Sequence, residues 1–246
     1  MKVFIAEQGN PLSLNPIEIK QCISDHGGAL IRNYIDPNRT RSVIPKLYRF
    51  LDPQEIAGTT SGTRDTVRKN STKWSVGGHS GAQIGNARLM VSIYNPLSDS
   101  DLFNFHDVFL KLIELRDAIR SDNKSTKDEH LKNNAFNACR FQIYPKGGGF
   151  MLGHTDYVAE ETSKLQSAGL FQLVLSITQR GIDFTAGGAY VKHNNELIDL
   201  EGEAKSGDIA IYDGSSFHGV ADIDPFLPLS TNSIRGRIAA LVTIYK

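Results

Sequence analysis

The residues best suited to chemistry are His154, Asp156 and His218. A histidine and a carboxylate one residue apart follow the glycine turn at Gly147 to Gly149, and a second histidine closes the stretch from Gly207 to His218. If residues 154 and 156 lie on a strand, alternation points both side chains the same way, so an imidazole and a carboxylate oxygen can meet one metal ion. His218, after an apolar strand and a turn, is the best candidate for the third ligand. Two imidazoles and one carboxylate suit a non-haem Fe(II) centre, because they leave coordination positions open for substrates.

The elements that must hold these residues form two groups. Residues 134–246 read as an all-β unit. Phe136 to Tyr144 alternates so that Ala138, Arg140, Gln142 and Tyr144 share one face, with Asn137, Cys139, Phe141 and Ile143 on the other. Either the first face is the wall of a polar cavity or it is an outward-facing side of the sheet. Further apolar runs follow at Leu170–Ile177, Ala189–Val191, Glu196–Leu200, Asp208–Tyr212 and Arg237–Tyr245. Glycine, Asn-Asn and charged turns separate them, a pattern that indicates a sandwich or jelly roll.

Upstream, Asn15-Pro16 caps a short amphipathic helix with apolar positions at Ile17, Ile19, Cys22 and Ile23, and Gly27 stops it. A strand over Ala29–Ile35 and a helix from Asp36 to about Leu51 come next. Residues 52–86 are small, polar and basic with one tryptophan, and read as a long loop. Two readings stand for it. It is a lid in which Arg64, Arg68, Lys73 or Trp74 contacts substrate, or a solvated connection in which Trp74 plugs the core. Arg88–Tyr94 then reads as a strand and Leu102–Ile119 as a helix whose stripe of Phe105, Val108, Leu112, Ile113 and Leu115 faces the core. The remaining histidines, His26, His79, His106, His130 and His193, are read as helix-end, loop, boundary or turn residues.

Composition limits the partners. The 246 residues carry 27 basic and 27 acidic side chains, so no net field recruits nucleic acid or an anionic membrane, and a small-molecule partner is expected. Two cysteines outside any CxxC pair give no disulfide framework. The apolar run at the start is too short for a signal segment and no long apolar stretch follows, so a cytoplasmic, single-domain protein over 1–246 is expected.

In order along the chain, Tyr144 with its glycine turn, His154-Thr155-Asp156, Gly187-Gly188, Gly207-Asp208, His218-Gly219 and Arg237 at the start of the final strand resemble the Fe(II)/2-oxoglutarate-dependent oxygenases. The similarity is to their prolyl-hydroxylase-like and phytanoyl-CoA-hydroxylase-like branches, and it covers roughly residues 134–246, with 15–51 resembling their helical support. It implies a mainly β fold, a double-stranded β-helix of jelly-roll, cupin-like form with N-terminal helices. It implies Fe(II) on His154, Asp156 and His218, dioxygen and 2-oxoglutarate as cosubstrates, and ascorbate as a supporting reductant. Arg237 would hold the far carboxylate of 2-oxoglutarate with help from Tyr144, and Arg235 is the alternative arginine.

The implied activity is hydroxylation of a small polar molecule, such as a free amino acid, recognised by Arg140, Gln142, Arg64, Arg68 and Trp74. A carboxylate at position 156, where halogenating relatives carry Gly or Ala, marks hydroxylation. The readings from other classes are a non-catalytic jelly roll that binds a metabolite or sugar, and an oxygenase acting on a larger substrate.

Overall fold

The computed structural model describes residues 1–7, 10, 13–51, 67–77, 87–120, 136–156, 171–230 and 234–245. Among these, twelve strands join one curled sheet. In chain order they are β1 (Lys2–Ile5), β2 (Ala29–Arg32), β3 (Ser71–Gly77), β4 (Arg88–Tyr94), β5 (Phe136–Pro145) and β6 (Gly149–His154), followed by β7 (Phe171–Ser176), β8 (Gly188–His193), β9 (Glu196–Asp199), β10 (Ile209–Asp213), β11 (His218–Ile223) and β12 (Gly236–Tyr245). The helices are α1 (Pro16–His26), α2 (Pro37–Arg41), α3 (Ile44–Leu51) and α4 (His106–Arg120).

The sheet runs β1-β2-β10-β7-β12-β5-β4-β6-β11-β8-β9, with β3 on the outer edge of β4. Its curl is made at β4, which pairs with β3 along its whole length and divides its second edge between two partners. Val91–Tyr94 pair with β5, while Arg88 and Leu89 pair with β6. The strands of the β5–β6 hairpin therefore diverge, and the sheet folds over into a jelly-roll-like half-barrel. The turn between them is held from outside: Gly147 N–H donates to Asp224 O and Gly148 N–H to Ile223 O. Gly147 has φ +87°, and a Cβ there would lie 2.5 Å from the Leu229 nitrogen, so both the turn and the close approach require glycine.

Two cores follow from strand alternation. Phe141, Ile143, Ile238, Ala240, Leu175 and Ile209 face the helices, where Phe141 sits against Phe103, Phe105 and Phe109 with ring centroids 5.1–5.4 Å apart. Tyr144, Ala239, Leu241, Val174, Ala210 and Tyr212 face the barrel interior. Shifting any strand by one residue would exchange the two sets, so the pattern fixes the register.

Local chemistry accounts for the helix limits. Asn15 accepts from Ile17 and Glu18 N–H at the start of α1, and Gly27 ends it with φ +77°. The helix expected from Asp36 to Leu51 is two helices. Pro45 has no N–H to donate to Arg41, so α2 stops and α3 starts afresh with Pro45 in its first turn. The helix expected from Leu102 begins at His106, because Asp101 accepts from Phe105 and His106 N–H and caps it there. Within the stretch read as a loop, Ser71–Gly77 is strand β3, whose alternating Thr72, Trp74 and Val76 were hidden among polar residues. Residues 52–66 and 78–86, including Arg64 and His79, lie outside the described residues, as does His130. No helix among the described residues is long and apolar enough to cross a membrane.

Candidate metal centre

His154 ends β6 and His218 begins β11, and the two strands pair antiparallel with these residues directly opposite one another. Their ring centroids stand 4.5 Å apart. Asp156 lies beyond the end of the strand, where its backbone N–H donates to Gly214 O at 3.0 Å. Its Oδ1 is 3.6 Å from His154 Nε2 and 3.8 Å from His218 Nε2. Pairing across strands thus brings the two histidines together, and the segment just past the end of β6, tied to Gly214, carries Asp156 to them. One ligand atom from each residue lies within 4.8 Å of the others, a spacing that can hold a metal ion.

The tautomers suit ligation. His154 Nδ1 stands 2.9 Å from Leu152 O and His218 Nδ1 stands 2.8 Å from Ser216 O. A carbonyl only accepts, so each Nδ1 carries a hydrogen and Nε2 is the ring nitrogen turned toward Asp156. Gln172 on β7 donates from Nε2 to Asp156 Oδ2 at 2.6 Å, which leaves Oδ1 for the shared centre. Burial lowers the His218 pKa, outweighing the Ser216 carbonyl and the Asp156 charge. For Asp156, burial works to raise the pKa, but the His154 hydrogen bond, both imidazoles and Gln172 together hold it below the usual carboxylate range. The donor set is therefore two imidazole Nε2 atoms and one carboxylate oxygen.

On the inner side of the sheet lies an arginine. Arg237 opens β12 opposite Tyr144 on β5, with its guanidinium carbon 5.3 Å from the Tyr144 ring centroid. Both side chains are almost fully buried. Tyr144 donates its hydroxyl to Gln142 Oε1 at 3.2 Å and meets Met151 Sδ at 3.8 Å. Arg140 is buried two positions before Gln142 on the same face of β5. Its charge acts on both Tyr144 and Tyr212, although burial dominates and raises the pKa of both phenols. The alternating face of β5 is thus largely buried and not an outward-facing side of the sheet.

Three other expected site residues stand elsewhere. Arg235 precedes β12, so the two-residue periodicity does not reach it, and its guanidinium stacks 3.9 Å from the Tyr48 ring centroid on α3. Trp74 packs against the helix-side core, which agrees with the plug reading. Arg68 lies over Phe136, 4.6 Å from the ring centroid, in a small cluster with Val67, Tyr94 and Ala138 at the end of β5 remote from Tyr144.

Three neighbours were not anticipated from the sequence: Gln172, Tyr212, whose ring is 4.9 Å from that of His218, and Glu201, which pairs with Arg237. Gln172 was detectable in principle, as a lone polar residue at an inward position of an apolar strand. Glu201 sits in a charged turn and gives no such signal.

No family model matches the sequence, and no curated protein matches it. Solved structures do. A Pseudomonas putida prolyl-4-hydroxylase is similar with a TM-score of 0.54 at 14% identity, over 94% of this chain and 99% of that one. A Trichoplax adhaerens prolyl hydroxylase, solved in complex with a hypoxia inducible factor oxygen degradation domain peptide fragment, gives 0.56 at 10% identity, over 93% of this chain and 88% of that one. The chain has the fold of these prolyl hydroxylases, the architecture expected of the 2-oxoglutarate and Fe(II) oxygenases that its ordered motifs resemble.

Proposed function

We propose that the protein is a non-haem Fe(II) oxygenase that couples oxidative decarboxylation of 2-oxoglutarate to hydroxylation of a small polar substrate. The observation that carries this reading is the convergence of His154 Nε2, Asp156 Oδ1 and His218 Nε2 at the interior end of a barrel that also buries Arg237. The residues fit the ion. Each imidazole is fixed in the ligating tautomer, the carboxylate is ionised, and one carboxylate oxygen remains for the metal.

Fe(II) in this site would supply activation of dioxygen, with 2-oxoglutarate converted to succinate and carbon dioxide. The remaining tasks fall to the chain. Arg237 would bind the far carboxylate of the cosubstrate through paired N–H donors, an arrangement that a lysine ammonium lacks. Tyr144 packs on that guanidinium and turns its hydroxyl toward the cavity wall at Gln142. The apolar surround of Val174, Leu241 and Val220 keeps water from the charged groups, which strengthens their attraction.

Substrate recognition is assigned to the inward face of β5. Arg140 and Gln142 offer a cation and an amide on one wall, which suits a small carboxylated molecule such as a free amino acid.

The test is succinate formation by purified protein with Fe(II), ascorbate and 2-oxoglutarate, followed by a mass-spectrometric screen of amino acids and small acids. Succinate above background, raised by one such compound with a gain of one oxygen atom, is the expected result. Metal binding without succinate would favour a non-catalytic binding protein, and turnover confined to peptides would reject the small-molecule assignment.

A further inference from the structure

Arg237 is held by a carboxylate from its own chain. Glu201 Oε1 accepts from Arg237 Nε at 2.6 Å and from Nη2 at 2.5 Å, with the two side chains only 5% and 3% exposed. The pair is built into the fold. Ala189 N–H also donates to Glu201 Oε1, and the Glu201 backbone N–H is anchored by Asp199 Oδ1. Asp199 in turn pairs with Arg180, whose Nη1 donates to Gly187 O. Gly188 makes the room: a Cβ at that position would lie 2.5 Å from Glu201 Cγ, and its φ of +130° disfavours any other residue.

A guanidinium has five N–H donors arranged along two edges that can each receive a carboxylate. Glu201 occupies the edge formed by Nε and Nη2. The second Nη2 hydrogen and one Nη1 hydrogen form the outer edge, and no acceptor for Nη1 occurs among the described residues. We propose that Glu201 is a positioning residue which, by gripping the inner edge of Arg237, aims its outer edge at the far carboxylate of the 2-oxo acid. This rests on the functional reading above and adds a determinant of cosubstrate choice. A 2-oxo acid with a second carboxylate gains from the aimed edge, whereas one without it does not.

The experiment is calorimetric binding of 2-oxoglutarate and of pyruvate to protein loaded with Mn(II) in place of iron, so that nothing depends on turnover. Native protein should prefer 2-oxoglutarate. In Glu201→Ala its affinity should fall by about tenfold or more while that for pyruvate changes by less than about twofold, the loss of an oriented charge-assisted pair. Glu201→Gln, whose amide oxygen still accepts from both donors, should recover 2-oxoglutarate binding to within about threefold. If Glu201→Ala does not fold, Glu201→Asp, too short by one methylene to reach, should show the same selective loss.

Unchanged preference in the folded variant, or equal loss for both acids, would overturn the proposal. Native protein that binds Mn(II) but neither acid would instead refute the functional reading beneath it.

Discussion

Gln172 donates from its amide nitrogen to Oδ2 of Asp156 at 2.6 Å, and so decides which carboxylate oxygen faces the two histidines. The contact joins the central strand β7 to a residue that lies outside any strand. Removing it should free the carboxylate to rotate. Gln172→Leu is expected to weaken Mn(II) or Fe(II) binding by about 10–100-fold, the usual cost of losing a partner that orients a ligand. Competition against a fluorescent chelator measures it. An unchanged affinity would show that Asp156 is held by its backbone alone.

His154→Ala and His218→Ala should each abolish stoichiometric metal binding while leaving the circular dichroism spectrum unchanged. Each removes one of three donors, and neither ring is packed into the helix-side core. Tight binding by either variant would mean that the metal takes other ligands.

The fold was legible wherever burial alternates with strand period. The two alternating faces of β5 follow directly from the sequence, and so does the separation of Tyr144 from Phe141 and Ile143. The histidine and aspartate were legible through their spacing, although the sequence cannot show that Asp156 lies past the strand end and is tied to Gly214. Strand β1 escaped notice because its pairing is parallel to β2, with helix α1 between them, and no local turn announces it. Glu201 escaped for a related reason. Its partner is 36 residues away, and a charged residue in a polar turn carries no sign of being buried.

Asp224 provides a pH test of stability. Its Oδ1 accepts from Thr185 N–H at 2.8 Å, Thr185 Oγ1 at 2.6 Å and Ala186 N–H at 2.7 Å, which ties the strand end at β11 to the turn before β8. Burial works to raise its pKa, but these hydrogen bonds and Lys146 hold it below the usual value. A depressed folded pKa contributes stability that is fully present above the unfolded value of about 4 and is lost as pH falls through the folded one. Asp224→Asn, which tolerates the left-handed φ of +44°, should therefore cost about 1–2 kcal/mol at pH 7. The gap between variant and native protein in urea melts should narrow below about pH 4. A gap that persists at low pH would assign the loss to packing.

The two arginines near the start of β12 should separate cleanly. Arg235 stacks on Tyr48 outside the barrel, so Arg235→Ala should leave the 2-oxoglutarate affinity within about twofold of native, a change worth under about half a kcal/mol. Arg237→Met should lower that affinity by about two orders of magnitude, as expected for a lost charge-assisted pair in a dry site. It also strands Glu201 as a buried, unpaired carboxylate, so the same variant should lose about 3–5 kcal/mol of stability. Stability and binding can be told apart because the double variant Arg237→Met with Glu201→Met removes both charges. A buried ion pair replaced by apolar side chains of similar size is often neutral or stabilising, so the double variant should regain most of the lost stability. It should not regain 2-oxoglutarate binding, since the guanidinium is gone. Recovery of both in the double variant would place the cosubstrate carboxylate elsewhere, with Arg140 a second buried cation on the inner face of β5.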